Sequence, residues 1–156
     1  MPVAHGIIRA RAIAVGLLLS VVNGCALPAP PPPAPPLSVG QARVWFYREF
    51  LPDDTKAIAA VAMNGSTVGY AVPGTNFYKD VPAGAYHVTV ESWGRDLYQS
   101  QDLALAPGDQ QFIKIMSLPS WAEERRNFER PTYYARAVTP YLASLELPLT
   151  TFRGGN

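Results

Sequence analysis

Alternating apolar and polar residues predict a series of short β-strands through the middle of the chain. The clearest case is 85–93, where Tyr86, Val88 and Val90 alternate with polar neighbours such as His87. β-Branched and aromatic residues are enriched because they fit a pleated, half-buried surface. Seven segments are predicted as strands: 42–49, 57–63, 66–71, 76–81, 85–93, 99–106 and 110–118.

Turn residues separate these segments at regular intervals. Asn64-Gly65 lies between two apolar runs, and this dipeptide favours the two positive-φ residues of a type I′ hairpin. A Pro-Gly pair ending at Gly108 separates 99–106 from 110–118, and we expect these two strands to pair across it.

The spacing of the turns predicts the fold class. Turns recur about every 8–12 residues, which is typical of an all-β domain built as an antiparallel β-sandwich. We therefore expect one β-sandwich domain of about seven strands over residues 42–147, followed by a short tail, 148–156.

The pattern changes near the end of this domain, where two short helices are predicted. Ser120 and Glu123 form a capping box for a helix over about 121–129. Thr139 is a second N-cap, followed by Pro140 at the first helical position. This second helix should stop before Pro148, because proline cannot continue a helix.

The first 24 residues have the pattern of a secretory signal peptide. Arg9 and Arg11 precede an apolar run over 13–22, and small residues follow it. The apolar run is about half of the roughly 20 residues that a membrane-spanning helix requires. An uncleaved membrane anchor is the alternative interpretation.

The only cysteine of the chain, Cys25, follows this segment. The sequence Val22-Asn23-Gly24-Cys25 resembles the bacterial lipoprotein box. The resemblance implies cleavage before Cys25 and lipid attachment to it, with Ala26 favouring the outer membrane, facing the periplasm. A free thiol is the alternative, although a lone exposed thiol is a liability in an exported protein.

The segment from Cys25 to Gln41 is predicted to be a linker. Seven of the 16 residues in 26–41 are proline, a composition that favours extended polyproline II. At about 3.1 Å per residue the linker could hold a domain up to roughly 50 Å from its lipid. A ligand for a proline-recognising domain is the other interpretation.

The net charge of the mature chain indicates which classes of partner the protein can bind. Once residues 1–24 are removed, Arg9 and Arg11 with them, 11 of the 13 basic residues remain against 12 acidic ones. The mature net charge is then −1, without the basic cluster typical of nucleic-acid binding. We expect the membrane, reached through lipid on Cys25, and an envelope protein or cell-wall polymer as partners, and no nucleic acid.

The domain also resembles a family of bacterial envelope lipoproteins of unknown function. The resemblance lies in "RVWFYRE", "VAMNGSTVGYAVPGTNFYKDVPAGAYHVTV" and "LALAPGDQQFIKI", and less strongly in "YARAVTPYLASLEL". These motifs consist mostly of residues that form turns. The resemblance implies a small transthyretin-like (prealbumin-like) β-sandwich in the envelope, and it implies no activity.

Few residues of the domain are candidates for catalysis or metal binding. His87, Thr89 and Glu91 share one strand face, but a polar, solvent-facing strand explains them as well. A metal site normally needs three or four converging ligands, so we expect no metal, no cofactor and no catalytic residues.

Aromatic residues provide the candidate binding surface, which consists of Trp93, Tyr98, Tyr133 and Tyr134. Tyrosine and tryptophan are enriched at interfaces. We therefore expect a non-catalytic binding or structural module, with a small-ligand-binding sandwich as the alternative and a hydrolase as a third possibility.

Lipid attachment can be tested directly on the native protein. We expect mass spectrometry to find a mature chain that begins at Cys25 and carries three acyl chains. Cys25→Ser should remain uncleaved and unacylated, because the thiolate sulfur is the attachment atom, whereas Ser38→Ala in the linker should be processed normally. An unmodified thiol or a different mature terminus would refute the assignment.

Overall fold

The computed structural model describes residues 34–118 and 132–155, and in this part of the chain two β-sheets pack face to face. The predicted signal peptide, Cys25 and the helix predicted over 121–129 lie outside the described residues. The strands are β1 (Gln41–Arg48), β2 (Ala59–Met63), β3 (Ser66–Ala71), β4 (Thr75–Pro82), β5 (Gly84–Val90), β6 (Gln101–Leu105), β7 (Gln110–Leu118), β8 (Thr132–Val138) and β9 (Thr151–Gly155).

The all-β sandwich predicted from the turn spacing is confirmed, with additional strands. One sheet has the order β8-β7-β1-β4-β9 and the other has the order β3-β2-β5-β6. The described residues therefore contain nine strands rather than about seven, because β8 and β9 were not predicted. The larger sheet also extends past residue 147, where the sequence predicted the domain to end, into β9.

The strand pairing is partly antiparallel and partly parallel. The four-stranded sheet is antiparallel throughout, and Asn64 and Gly65 have φ of 48° and 79° in the predicted β2–β3 hairpin. In the five-stranded sheet, β1 pairs with β7 in parallel and β4 pairs with β9 in parallel.

The predicted pairing of β6 with β7 is wrong. β6 pairs with β5 and β7 pairs with β1, so the turn at Gly108 carries the chain from one sheet to the other. Its N–H donates to the carbonyl of Gln41 at 2.8 Å. A Pro-Gly turn reverses the chain, but it does not determine whether the flanking strands pair or pack across the core.

One short C-terminal helix, α1 (Pro140–Glu146), connects β8 to β9, with a 3₁₀ turn at Leu147–Leu149. As predicted, Thr139 is its N-cap, and the Thr139 hydroxyl accepts from the Leu142 N–H at 3.2 Å. β8 and β9 run in the same direction at opposite edges of their sheet. The connection through α1 therefore crosses between the two edges. In the described residues, no helix is long and apolar enough to cross a bilayer.

The core lies between the inner faces of the two sheets. Alternate side chains of β1, such as Val44 and Phe46, are fully buried in it. The remaining members are Ala42, Ala59, Val61, Met63, Ala71, Val81, Val88, Val90, Leu103, Leu105, Ile113, Ile115, Tyr133 and Ala135. β1 is the central strand, and its other face is buried as well. On that face the buried Arg43 is bound by Asp80 at 2.6 and 2.7 Å.

A glycine allows β3 to approach β4 closely. A Cβ added to Gly69 would overlap the side chain of Phe77, whose ring stacks on Phe46 with centroids 5.0 Å apart. The backbone of Gly69 is therefore in contact with an aromatic ring of the opposite sheet.

Gly69→Ala tests this contact. The backbone of Gly69 has no positive φ, so the overlap with Phe77 should be the main cost. We expect a loss of about 1–3 kcal/mol in the free energy of unfolding, measured by urea titration. In a Phe77→Leu background the added cost of Gly69→Ala should shrink, because the smaller side chain relieves the overlap. An equal cost in both backgrounds would contradict this account.

Candidate functional site

The four aromatic residues predicted to form a surface lie on two segments of different burial. Trp93 and Tyr98 are on the loop 91–100 and are 71% and 78% exposed. Tyr133 and Tyr134 are on β8 and are buried, so only the first two present their rings to solvent.

The loop is held against β8 through Gln99. The Gln99 side-chain amide donates to Ser92 Oγ at 3.0 Å, to the Gly94 carbonyl at 2.9 Å and to the Tyr133 carbonyl at 3.2 Å. Ser92 Oγ in turn accepts from the Tyr133 N–H at 2.6 Å. The loop carrying Trp93 is therefore attached to the edge of the five-stranded sheet.

The second half of the loop is attached by Tyr134 and Arg136. The Tyr134 hydroxyl donates to Asp96 at 2.6 Å, which lowers the pKa of Asp96 and raises the pKa of Tyr134. The Arg136 guanidinium hydrogen-bonds to the Tyr98 carbonyl. Tyr134 is thus a structural support for the loop rather than an exposed contact.

Arg48 lies at the core of the same end of the sandwich, and its role was not predicted. Its side chain is 1% exposed. Its guanidinium donates to Asp54 at 3.0 Å, to the Ala57 carbonyl at 2.7 Å, to the Ala71 carbonyl at 3.3 Å and to the Thr55 carbonyl. The one signal in the sequence was a charged residue at an inward position of an alternating strand.

Tyr133 joins this cluster from β8. Its hydroxyl donates to the Ala57 carbonyl at 2.9 Å, and the Arg48 guanidinium lies 5.1 Å from its ring centroid. Burial raises the pKa of Tyr133, and the charge of Arg48 opposes only part of that rise. Tyr133 is therefore a neutral hydrogen-bond donor at physiological pH.

One cavity, here called the Trp93 pocket, lies above this cluster. It has a volume of about 620 Å³, and Trp93 and Tyr133 are among its walls. The other lining residues are Ala57, Ile58, Ala59, Glu91, Ser92 and Arg95. Two of the four predicted aromatic residues are thus brought together at a concave surface.

A second cavity, here called the edge groove, lies between the two sheets at their open side. It has a volume of about 720 Å³ and is lined by 68–70 of β3, 77–79 of β4 and 153–155 of β9, with Ile58 and Val72. The sequence pattern does not predict this groove, because its walls come from segments distant in the chain. Its rim includes Tyr70, which is 60% exposed.

The edge groove is apolar with two cationic side chains. Lys79 pairs with Val44 of the core, and cross-strand partners share a face, so Lys79 points to the inner side of the sheet. Arg153 lines the groove from β9 and is exposed to solvent; the register of β9 with β4 shifts at this point.

In the described residues, no carboxylate compensates these two charges. Among the groove residues none is acidic, and within the described chain neither Lys79 nor Arg153 forms a side-chain hydrogen bond or an ion pair. An anionic group entering the groove would therefore meet two available cations and an apolar wall.

The strand β9, which forms one wall of the groove, is positioned through α1. Glu146 at the end of α1 accepts from the Tyr47 hydroxyl at 2.6 Å and from Lys114 at 2.7 Å, and Lys114 also pairs with Glu49. Burial raises the pKa of Glu146, but the hydrogen bonds from Lys114 and Tyr47 together outweigh it and lower the pKa below 4.5. Burial and the bond to Glu146 raise the pKa of Tyr47.

His87 lies apart from both cavities. Its Nδ1 is 2.6 Å from Asp102 on the outer face of the four-stranded sheet, with Thr89 half-buried two residues along. Glu91 lies beyond the end of β5. Within 34–118 and 132–155, no three histidine, cysteine or acidic side chains cluster as metal ligands would.

The attachment of α1 predicts a pH dependence of stability. Because the folded pKa of Glu146 is depressed, its contribution should be complete above about pH 4.5 and should fall as the pH drops below that value. Glu146→Gln should therefore lose less stability than the wild type between about pH 7 and about pH 3, measured by urea unfolding. Glu91→Gln is the control for an exposed carboxylate. Full acid sensitivity in Glu146→Gln would refute the account.

No family model matches the chain, and a search of curated proteins finds no match. The function of the two cavities is therefore to be inferred from their own residues, and of the two the edge groove has the stronger chemical character.

Proposed function

We propose that this protein is a lipid-anchored component of the bacterial cell envelope whose β-sandwich is a non-catalytic binding module. The anchor is Cys25, the location is the periplasmic face of the outer membrane, and the partner is another envelope component. The single observation that supports the binding role is the edge groove, where Lys79 and Arg153 face an apolar wall that has no carboxylate among its described residues.

The tether and the groove are compatible in position. The described chain enters the sandwich at Gln41, which pairs with Pro82 at one end of β4, whereas the groove is lined by 77–79 of the same strand. A linker leaving at Gln41 does not have to cross the groove. With a reach of roughly 50 Å, the groove can meet partners in the periplasm away from the anchoring membrane.

A small-ligand-binding module is the second candidate, favoured by the Trp93 pocket. An exposed indole, a buried tyrosine and the charges of Glu91 and Arg95 surround this concavity. The geometry favours a hydrolase least, because His87 and Asp102 interact on an open sheet face rather than in either cavity.

Site-specific photocrosslinking in intact cells tests the binding module. A photoreactive phenylalanine analogue replaces Tyr70 at the groove, Trp93 at the pocket, or Tyr141 on α1 as a matched exposed aromatic control. We expect a discrete adduct at position 70 that is absent at 141 and is lost when Lys79→Glu and Arg153→Glu are added.

Three results would count against the edge groove. Adducts at position 70 that match those at 141 would indicate random collision. A specific adduct at 93 alone would support the Trp93 pocket instead. Retention of the position 70 adduct after both charge reversals would exclude the two cations as the recognition element.

A further inference from the structure

We propose that the occupant of the edge groove is an extended polypeptide segment that pairs with the edge of β3 that no described strand covers, and that places an acidic group between Lys79 and Arg153. This inference rests on the proposed function, because it takes the edge groove as the binding site. It adds the class of ligand and the way in which the ligand is held.

The two sheets are unequal in the described part of the chain. The sheet containing β9 has five described strands and the sheet containing β3 has four. β3 packs against β4, with Gly69 against the ring of Phe77, so β9 extends beyond it with no described strand opposite. The edge groove is the space left beside β3, facing β9, and a strand added there would give each sheet five strands.

The edge of β3 lacks the usual protection against pairing with another strand. The unpaired N–H and C=O groups of a sheet edge can pair with other strands, and charged residues or proline in the edge strand commonly prevent this. β3 has the sequence STVGYA, with neither a charge nor a proline. Its single irregularity is a shift in its register with β2 between Val61 and Ala62.

The opposite side of the sandwich, between β6 and β8, is closed by hydrogen bonds. There the Ala135 N–H of β8 donates to the Gln99 carbonyl at 2.9 Å, and the Ala137 N–H donates to Gln101 Oε1 at 3.2 Å. The β6–β8 side is thus bridged by hydrogen bonds. At the β3–β9 side the described residues form no such bridge, and the groove is open.

The walls of the edge groove also fit an added strand. Side chains of an added strand alternate between the two faces, so every second one would point inward, toward Phe77 and Val68. An inward acidic side chain would reach Lys79 and Arg153, whose charges no described residue compensates. β-Strand addition takes its affinity from main-chain hydrogen bonds and its specificity from such pockets.

The same features favour a peptide over a lipid or a saccharide. A lipid chain could use the apolar wall, and an anionic head group could use the two cations, but neither uses the row of backbone groups along β3. Only a polypeptide matches the spacing of those groups along its whole length. We therefore assign the groove to a peptide and treat the other ligands as competing outcomes.

The test measures binding of defined peptides to the full-length mature lipoprotein in detergent micelles. The probe is a fluorescent nine-residue peptide of alternating valine and serine with one inward glutamate. Matched peptides replace the glutamate with glutamine or lysine, and a fourth carries N-methyl groups on alternate backbone nitrogens. Affinity is read by fluorescence anisotropy.

We expect saturable binding of the glutamate peptide and roughly tenfold weaker binding of the glutamine peptide. N-Methylation should abolish binding, because it removes the backbone donors without changing the side chains. Lys79→Glu with Arg153→Glu should reverse the preference toward the lysine peptide. Arg95→Glu, at the Trp93 pocket, is the control and should bind as the wild type does.

Several outcomes would overturn the assignment. Equal binding of the N-methylated peptide would exclude strand pairing, and an unchanged preference in the charge-reversed variant would exclude the two cations. Because a reversed preference requires a folded variant, unfolding cannot imitate the expected result.

Controls with other ligands separate this inference from the proposed function. Binding of phosphatidylglycerol vesicles or soluble cell-wall saccharide at the groove, with no binding of any peptide, would overturn the peptide assignment. A specific crosslink at position 70 would then still support the groove as the site.

Discussion

The arrangement of this sandwich depends on the hydrogen bonds that the buried guanidinium of Arg48 donates. This side chain extends from the central strand β1 into one end of the core and donates to carbonyls from the loop after β1 and from the end of β3, as well as to Asp54. Burying a charged side chain costs folding free energy unless each of its N–H donors has an acceptor. Arg48 is 1% exposed, and its guanidinium makes five hydrogen bonds to four residues. Arg48 thereby joins the two sheets and shapes the loop that borders both cavities.

The second organising element is the crossover through α1. Glu146 receives hydrogen bonds from Tyr47 of β1 and Lys114 of β7, so the end of the helix is fixed over two strands of the same sheet. The chain that follows must begin β9 beside β4, where the Thr151 N–H donates to the Gly74 carbonyl at 2.8 Å. An electrostatic contact on the outer face of the sheet thus positions a wall of the groove at its edge.

Local signals explain what could be predicted from the sequence and what could not. The Asn64-Gly65 turn and the capping Thr139 act within a few residues, so the hairpin and α1 were predicted correctly. β8 was missed because Tyr133 and Tyr134 are both buried and break the alternation, each satisfied by a partner elsewhere in the chain. β9 was missed because Thr-Phe-Arg-Gly-Gly has little intrinsic strand character and forms only beside β4. The edge groove depends on how many strands each sheet contains, and no local pattern encodes that number.

The position of β9 has a consequence for the timing of folding. Its partner β4 lies about 75 residues earlier, and pairings between such distant segments form late because a large loop must close first. β9 is also the last of the described strands to be synthesised. The hairpin β2–β3 and the pairing of β1 with β4 can therefore assemble while the groove still lacks one wall. The groove is thus completed only at the last step of folding, and under the proposed function a chain still being synthesised or exported could not yet bind its partner.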